Sequence, residues 1–193
     1  KVRDLAYRDN VVWAATTHGL AKYKVSPDTS AELVFTSFTG DISAIEVTRK
    51  KDIWLGKTDG TVFLKQSISE KFINLELTSK LSSKQHFRIN DIVSLSDQEI
   101  GIATNNSGLI VINPEGDSIK QHYNLRIGGE VVMEHKFLEK LFVDRNKMVW
   151  IAGKKGIATL SSDRRSQTLI TEENSPDSFL KSNDIGAIVQ ADN

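Results

Sequence analysis

The 193-residue chain has no cysteine, only three prolines, no excess of either charge and no long apolar run. Without cysteine there is no disulfide framework, no thiolate metal site and no thiol nucleophile. The compartment stays open, since exported bacterial domains often lack cysteine too. Twenty-five basic residues balance twenty-five acidic ones, so no global field draws the chain to nucleic acid or to an anionic membrane surface. No stretch reaches the roughly 18 to 20 apolar residues of a spanning helix, and no basic segment followed by an apolar one opens the chain, so the expectation is a soluble protein. Helical periodicity is scarce as well, because no 3.6-residue stripe persists for three turns. Short helical turns are expected only in the connectors Thr78 to Arg88 and Ile127 to Glu139.

What is present is repetition. Val11-Val12-Trp13-Ala14-Ala15-Thr16-Thr17-His18-Gly19-Leu20 reads as strand, tight turn, strand, and versions of it return at Ile53-Trp54-Leu55-Gly56, Ile100-Gly101-Ile102-Ala103 and Val149-Trp150-Ile151-Ala152. The turn glycines Gly19, Gly60, Gly108 and Gly156 lie 41, 48 and 48 residues apart, and Trp13, Trp54 and Trp150 each stand six residues ahead of theirs. The third copy has Ile102 in place of Trp. A glycine among polar residues suits a turn that needs positive φ.

Ahead of each hairpin lies an apolar pair three residues apart: Val2 and Leu5, Ile42 and Ile45, Ile92 and Leu95, Leu138 and Leu141. Ile185 and Ile188 form a fifth pair with no hairpin after it. After each hairpin comes a further β-branched or aromatic stretch, Ala31 to Thr36, Lys71 to Leu77, Lys120 to Leu125 and Gln167 to Thr171. Four short strands recurring every 40 to 50 residues are the signature of β-propeller blades. The expected architecture is therefore all-β: about four four-stranded antiparallel blades over residues 1–38, 39–78, 86–126 and 135–172, with the first strand of a fifth at 182–193. This suggests a fragment of a larger propeller, whose uncovered strand edges invite self-association.

The motifs Asn90-Asp91-Ile92, Asn183-Asp184-Ile185, Asp144-Arg145-Asn146-Lys147-Met148-Val149-Trp150-Ile151-Ala152-Gly153, Ile53-Trp54-Leu55-Gly56 and Gly19-Leu20-Ala21-Lys22-Tyr23 together resemble the two-component regulator propeller repeat. The second copy departs from it with Thr61 after the turn glycine, and the third lacks the Trp. The resemblance implies an extracytoplasmic, periplasmic sensor region of a membrane-anchored bacterial hybrid histidine kinase or related signalling protein. Such a region would bind a small polar or carbohydrate-derived ligand without catalysis or cofactor, and would meet the membrane only through parts of the parent outside this chain. An interaction scaffold that binds another protein through its loop face is the alternative, and a propeller lyase or hydrolase a weaker one.

The Trp residues suit sugar stacking, yet their recurrence at one repeat position points to packing between blades. Asp144-Arg145-Asn146 ahead of Trp150 looks like the Asp-box turn of sialidase-type propellers, a folding motif whose side chains bond their own backbone. His18, His86, His122 and His135 show no ligand spacing, so no metal site is expected. No nucleophile, carboxylate pair or phosphate loop stands out, and Arg126 to Glu130 reads as a plain loop. Ligands of propellers commonly sit where hairpin turns and the connectors into inner strands converge. That set holds Arg3, Asp4, Asp59, Asn106 and Lys155, with His18, Arg88, Asn90, Asp91, Asn105, Lys154, Asn183 and Asp184 as candidate ligand contacts. Asn90-Asp91 and Asn183-Asp184 repeat and so also suit strand starts, whereas Arg88, His18 and Lys154 do not repeat and are better placed for contact.

Overall fold

Short β-rich runs closed by glycine turns can satisfy their backbone groups only by pairing with the next run, and the chain pairs in that way throughout. The structure is a computed structural model that describes all residues except 26–30, 82–85, 124–125, 128–129, 132–136, 164, 166, 175–179 and 190–193. Four antiparallel meanders follow one another. The first holds β1 (Val2–Arg8), β2 (Val11–Thr16), β3 (Gly19–Val25) and β4 (Ala31–Thr39). The second holds β5 (Ile42–Val47), β6 (Ile53–Lys57), β7 (Val62–Lys65) and β8 (Ile73–Asn74), and a single helical turn, α1 (Leu77–Lys80), comes after it. The third holds β9 (Ile89–Ser96), β10 (Glu99–Thr104), β11 (Leu109–Ile112) and β12 (Ile119–Tyr123). A two-stranded hairpin, β13 (Arg126–Ile127) and β14 (Glu130–Val131), precedes the fourth, made of β15 (Leu138–Val143), β16 (Val149–Gly153), β17 (Gly156–Leu160) and β18 (Gln167–Ile170). Each four-stranded meander is the blade unit of a β-propeller.

The chain divides into two compact units, Lys1–Ile92 and Val93–Asn193, with the division inside β9. In the first unit, Ile42, Ile45, Val47, Ile53 and Leu55 of the second sheet pack on Ala15 and Leu20 of the first, with Ala6 and Trp13 partly buried at the same contact. Phe38 meets Phe63 edge-on at 4.9 Å between ring centroids and Phe72 at 4.7 Å. In the second unit, Leu138, Leu141, Val149, Ile151, Ala158 and Leu160 of the fourth sheet pack on Ala103, Leu109 and Val111 of the third. The same face of the later sheet therefore covers the same face of the earlier one in both units. Full burial of one such aliphatic side chain contributes roughly 1.5–3 kcal/mol. The turn glycines make the outer strands fit, since a Cβ on Gly19 (φ 139°) or Gly156 (φ 112°) would overlap the carbonyl oxygen of Phe38 or Ile170.

Several expectations need refinement. Helix between the second and third sheets is limited to α1, and residues 82–85 of that connector lie outside the described residues. The stretch from Arg126, expected as a plain loop, opens and closes with β13 and β14, while 128–129 and 132–136, which include His135, lie outside the description. So do Leu125, at the end of the third outer stretch, and residues 190–193. Residues 184–189, expected as the first strand of a fifth blade, form no strand. Their neighbourhood bonds back onto the fourth sheet instead, with Gly156 N–H donating to the Asn183 carbonyl (2.7 Å) and Ile185 N–H to that of Gly153 (3.1 Å). The three tryptophans, expected alike as packing residues, differ: Trp54 is fully buried, whereas Trp13 and Trp150 are half-buried.

Candidate functional site

Successive inner strands of the first unit start side by side, which gathers polar side chains of distant sequence at one edge of the sheets. Arg3, in β1, donates from Nε and Nη2 to the two carboxylate oxygens of Asp41, just ahead of β5, at 2.7 and 2.9 Å. This two-pronged geometry is the strong form of the arginine–carboxylate pair. The Thr58 hydroxyl, from the β6–β7 turn, donates to Asp41 Oδ2 at 3.3 Å. The Arg3 hydrogen bonds hold the Asp41 carboxyl below its usual range against the upward push of burial; the charge of Arg3, the Thr58 bond and the charge of Arg88 act in the same direction. Beside them Lys57 pairs with Asp59 at 3.2 Å, and Asp59 also accepts the Thr61 N–H at 3.0 Å.

The result is a cluster of three cations, two carboxylates and a hydroxyl. Arg88 is exposed, and Arg3 and Asp41 are partly so. Such a set offers donors and acceptors in several directions at once, which suits a polyhydroxylated or charged small molecule. The inner strands behind it are laced by bonds that fix its geometry. Asp4 Oδ2 accepts the Ile45 N–H at 2.9 Å, and the buried Ser43 hydroxyl bonds to the carbonyls of Ile89 (2.6 Å) and Gly56 (3.1 Å).

Of the candidate ligand contacts Arg88 belongs to this cluster, together with Arg3 and Asp59 from the wider set of converging turns and connectors. His18 is exposed in the β2–β3 turn, with Nδ1 3.0 Å from the Thr17 hydroxyl and its N–H on Thr16 Oγ1. Asn90 and Asp91 lie within β9, Asp91 buried. Asn105 sits in the β10–β11 turn, whose shape is held by Thr104 Oγ1, which accepts Ser107 N–H (2.8 Å) and donates to the Gly108 carbonyl (2.9 Å). Lys154, in the β16–β17 turn, lays its ammonium 5.2 Å from the centroid of the Phe137 ring. Asn183 is a connector: its carbonyl takes Gly156 N–H and its Oδ1 takes Glu172 N–H at 2.7 Å. Asp184 is exposed, its N–H donating to Ser182 Oγ. Among the described residues no group of three or more His, Asp or Glu is placed to hold a metal ion.

Asp41 was missed, although a signal for it existed. It stands immediately before Ile42 just as Asp91 stands before Ile92 and Asp184 before Ile185. Its preceding residue is Gly40 rather than Asn, so the three-residue motif did not register.

Asp144 performs the turn-closing role expected of it. Its Oδ1 accepts the N–H groups of Asn146 (2.8 Å) and Met148 (2.9 Å), and Oδ2 accepts the indole N–H of Trp150 at 3.0 Å. The indole bond holds the carboxyl below its usual range, partial burial pushes it up, and the two main-chain donors again lower it. Two of the tryptophans are poor stacking platforms: Trp54 is sealed in the core, and Trp13 carries the Lys22 ammonium 5.0 Å from its ring centroid.

No family model matches the sequence, and no curated protein matches it. Solved structures do match. The extracellular domain of a protein assigned as a hybrid two-component system from B. thetaiotaomicron aligns with a TM-score of 0.72 at 20% identity, over 96% of this chain and 24% of that one. A second such domain from the same organism gives 0.70 at 15% identity, over 90% and 23%. The computationally designed Ika4 protein gives 0.61 at 13% identity, over 83% of this chain and 91% of that one. The chain thus spans about a quarter of the length of the two extracellular domains. The likeness is one of fold, and the fold is the one expected from the tryptophan–glycine hairpins. That a designed protein shares it is a reminder that function resides in the site and not in the blades.

Proposed function

We propose that this chain is a non-catalytic, ligand-sensing part of an extracytoplasmic β-propeller in a bacterial two-component signalling protein of the hybrid histidine kinase type. The observation that supports it most is the fold shared, over nearly the whole chain, with extracellular domains of proteins assigned to such systems. The cluster of Arg3, Asp41, Lys57, Thr58, Asp59 and Arg88 is the binding surface in this reading, and its mixture of fixed cations, carboxylates and a hydroxyl suits a small polar or carbohydrate-derived ligand.

The test is a thermal-shift screen of the chain against neutral and acidic oligosaccharides and small organic acids. A true ligand raises Tm progressively with concentration, as mass action requires. Arg88→Ala is expected to abolish that shift while leaving the unliganded Tm close to its original value, because Arg88 is exposed. A panel that shifts nothing, or a shift that survives in Arg88→Ala, removes the cluster as the sensing site and moves weight to a protein-binding scaffold.

A further inference from the structure

Arg88 is an exposed side chain on a main chain that is fixed on both sides. Phe87 before it is 2% exposed and Ile89 after it is fully buried. The Phe87 carbonyl lies against the β6–β7 turn, where a Cβ on Gly60 would come within 2.4 Å of its oxygen. The Ile89 carbonyl accepts the hydroxyl of Ser43, a buried residue of β5, at 2.6 Å. Arg88 therefore emerges beside the turn that carries Lys57, Thr58 and Asp59. That turn is itself closed by Lys57 N–H on the Thr61 carbonyl (3.0 Å) and Gly60 N–H on that of Lys57 (3.2 Å). The Lys57 side chain lies against Gly40, where an added Cβ would stand 3.3 Å from Lys57 Cε and 3.5 Å from Nζ. Two cationic side chains are thus rooted in fixed backbone next to Asp41, whose carboxyl feels the charge of Arg88.

What the cluster already satisfies decides what it can still take. Guanidinium and ammonium groups only donate hydrogen bonds, and ionised carboxylates only accept them. The acceptors are largely occupied: Asp41 holds both Arg3 bonds and the Thr58 hydroxyl, and Asp59 holds the Lys57 ammonium and the Thr61 N–H. A neutral sugar needs acceptors for its hydroxyl protons as much as donors for its oxygens. An oxyanion needs donors alone, and here three cationic side chains stand against two carboxylates. The Arg3–Asp41 pair shows which oxyanion suits such donors, a planar carboxylate gripped by a guanidinium at both oxygens.

We propose that the group of the ligand recognised by this cluster is a carboxylate, held by the Arg88 guanidinium with the Lys57 ammonium beside it. This rests on the reading of the cluster as the sensing surface and narrows that reading to acidic ligands, a sugar acid or a simple organic acid. Attraction between charges at an exposed site is screened by salt, so binding weakens as ionic strength rises.

Nitrogen–proton NMR of the arginine Nε–H groups in the whole chain tests it. The Arg88 signal is identified by its loss in Arg88→Ala. Sodium acetate, added against sodium chloride at matched ionic strength, is expected to move that signal along a saturating curve. Lys57→Gln should weaken acetate about tenfold, as the loss of one charge-assisted hydrogen bond does. Lys50→Gln, at the exposed β5–β6 turn, should bind acetate as the native chain does. D-Glucuronate and D-glucose separate the sources of the carboxylate. Glucuronate held more tightly than acetate assigns it to a sugar acid, and equal binding of the two to a simple organic acid. A response to glucose equal to that to glucuronate overturns the carboxylate and leaves the cluster as the sensing surface, as does a response to sodium sulfate without one to acetate. Acetate binding undiminished in Lys57→Gln overturns the paired arrangement. An Arg88 signal that none of these solutes moves overturns the proposal together with the reading it rests on.

Discussion

Two turns six residues ahead of a tryptophan, one in each unit, close the same loop with different chemistry. In the fourth sheet, Asp144 N–H donates to the Met148 carbonyl and Lys147 N–H to that of Asp144, both at 3.0 Å, with Lys147 at φ 64°. In the second sheet, Thr48 N–H donates to Asp52 O (3.0 Å) and Lys51 N–H to Thr48 O (2.9 Å), with Lys51 at φ 68°. The backbone is the same. The side chain that closes it is not: the Asp144 carboxylate takes two main-chain N–H groups and the Trp150 indole, whereas the Thr48 hydroxyl takes one N–H, from Asp52 at 3.1 Å. Trp54 is fully buried and its Nε1 has no hydrogen-bond partner among the described residues. One tryptophan is held by a polar anchor at half burial, the other by apolar packing alone. The comparison shows that the repeat conserves a position for an aromatic ring and leaves open which force secures it.

The largest test removes the rings. Trp54→Ala is expected to cost about 3–5 kcal/mol, the usual range for emptying a packed aromatic site. Trp150→Ala should cost less, by about 1–2 kcal/mol, because its half-exposed ring leaves a smaller cavity. Urea unfolding of each variant, followed by far-UV circular dichroism, gives the two shifts. Should Trp150→Ala prove the costlier, the indole–carboxylate bond outweighs burial and the ranking drawn from exposure is wrong.

A smaller effect distinguishes the anchors by pH. Asp144 has its carboxyl lowered in the folded state, so the stability it contributes is complete above its unfolded pKa of about 4 and is lost as pH falls through the lower folded value. Asp144→Asn should weaken the chain by about 1.5–3 kcal/mol at neutral pH, the range for hydrogen bonds to a charged acceptor. It should also flatten the acid limb of the stability curve below about pH 4. Asp41, lowered by its Arg3 bonds, contributes to the same limb, so the slope is expected to diminish and not to vanish. A limb as steep in Asp144→Asn as in the native chain would remove Asp144 as a source of acid sensitivity.

The blades were legible because their signal is local: a ring six residues before a turn glycine, and an apolar pair ahead of it. Burial of those rings was not legible, since Trp13, Trp54 and Trp150 occupy one repeat position and differ only in what lies beyond each sheet. For the same reason Leu5 read like Ile45, although one is exposed and the other buried. Asp41 stands before an apolar pair as Asp91 and Asp184 do, but its partner Arg3 is 38 residues away, and that pairing is set by the stacking of sheets and by no motif. Asn183 is a candidate ligand contact by its place in a connector ahead of an apolar pair, and its carbonyl and side-chain amide oxygen accept the N–H groups of Gly156 and Glu172. The residues from Asp184 to Val189 carry the apolar pattern of an inner strand but meet no strand to pair with among the described residues.

The smallest effect is the most informative about the repeat. Thr48→Asp would place at the second-sheet turn the carboxylate that the fourth-sheet turn has, six residues ahead of a tryptophan whose N–H has no acceptor among the described residues. A hydrogen bond to a charged acceptor contributes roughly 1.5–3 kcal/mol. Thr48 is buried, however, and burial of the new charge opposes that gain. The two nearly cancel, so stability at neutral pH is expected to change by no more than about 1 kcal/mol. The pH profile should change more than the magnitude does. A carboxylate that accepts the Trp54 indole has a lowered pKa, so the variant should gain stability that is present at neutral pH and disappears on acidification below about pH 4. If burial prevails instead, the carboxyl is pushed up, the variant is destabilised at neutral pH and recovers as the group protonates. The sign of that slope shows whether the turn's geometry alone suffices to join carboxylate and indole, or whether the half-exposed setting of the fourth sheet is also required.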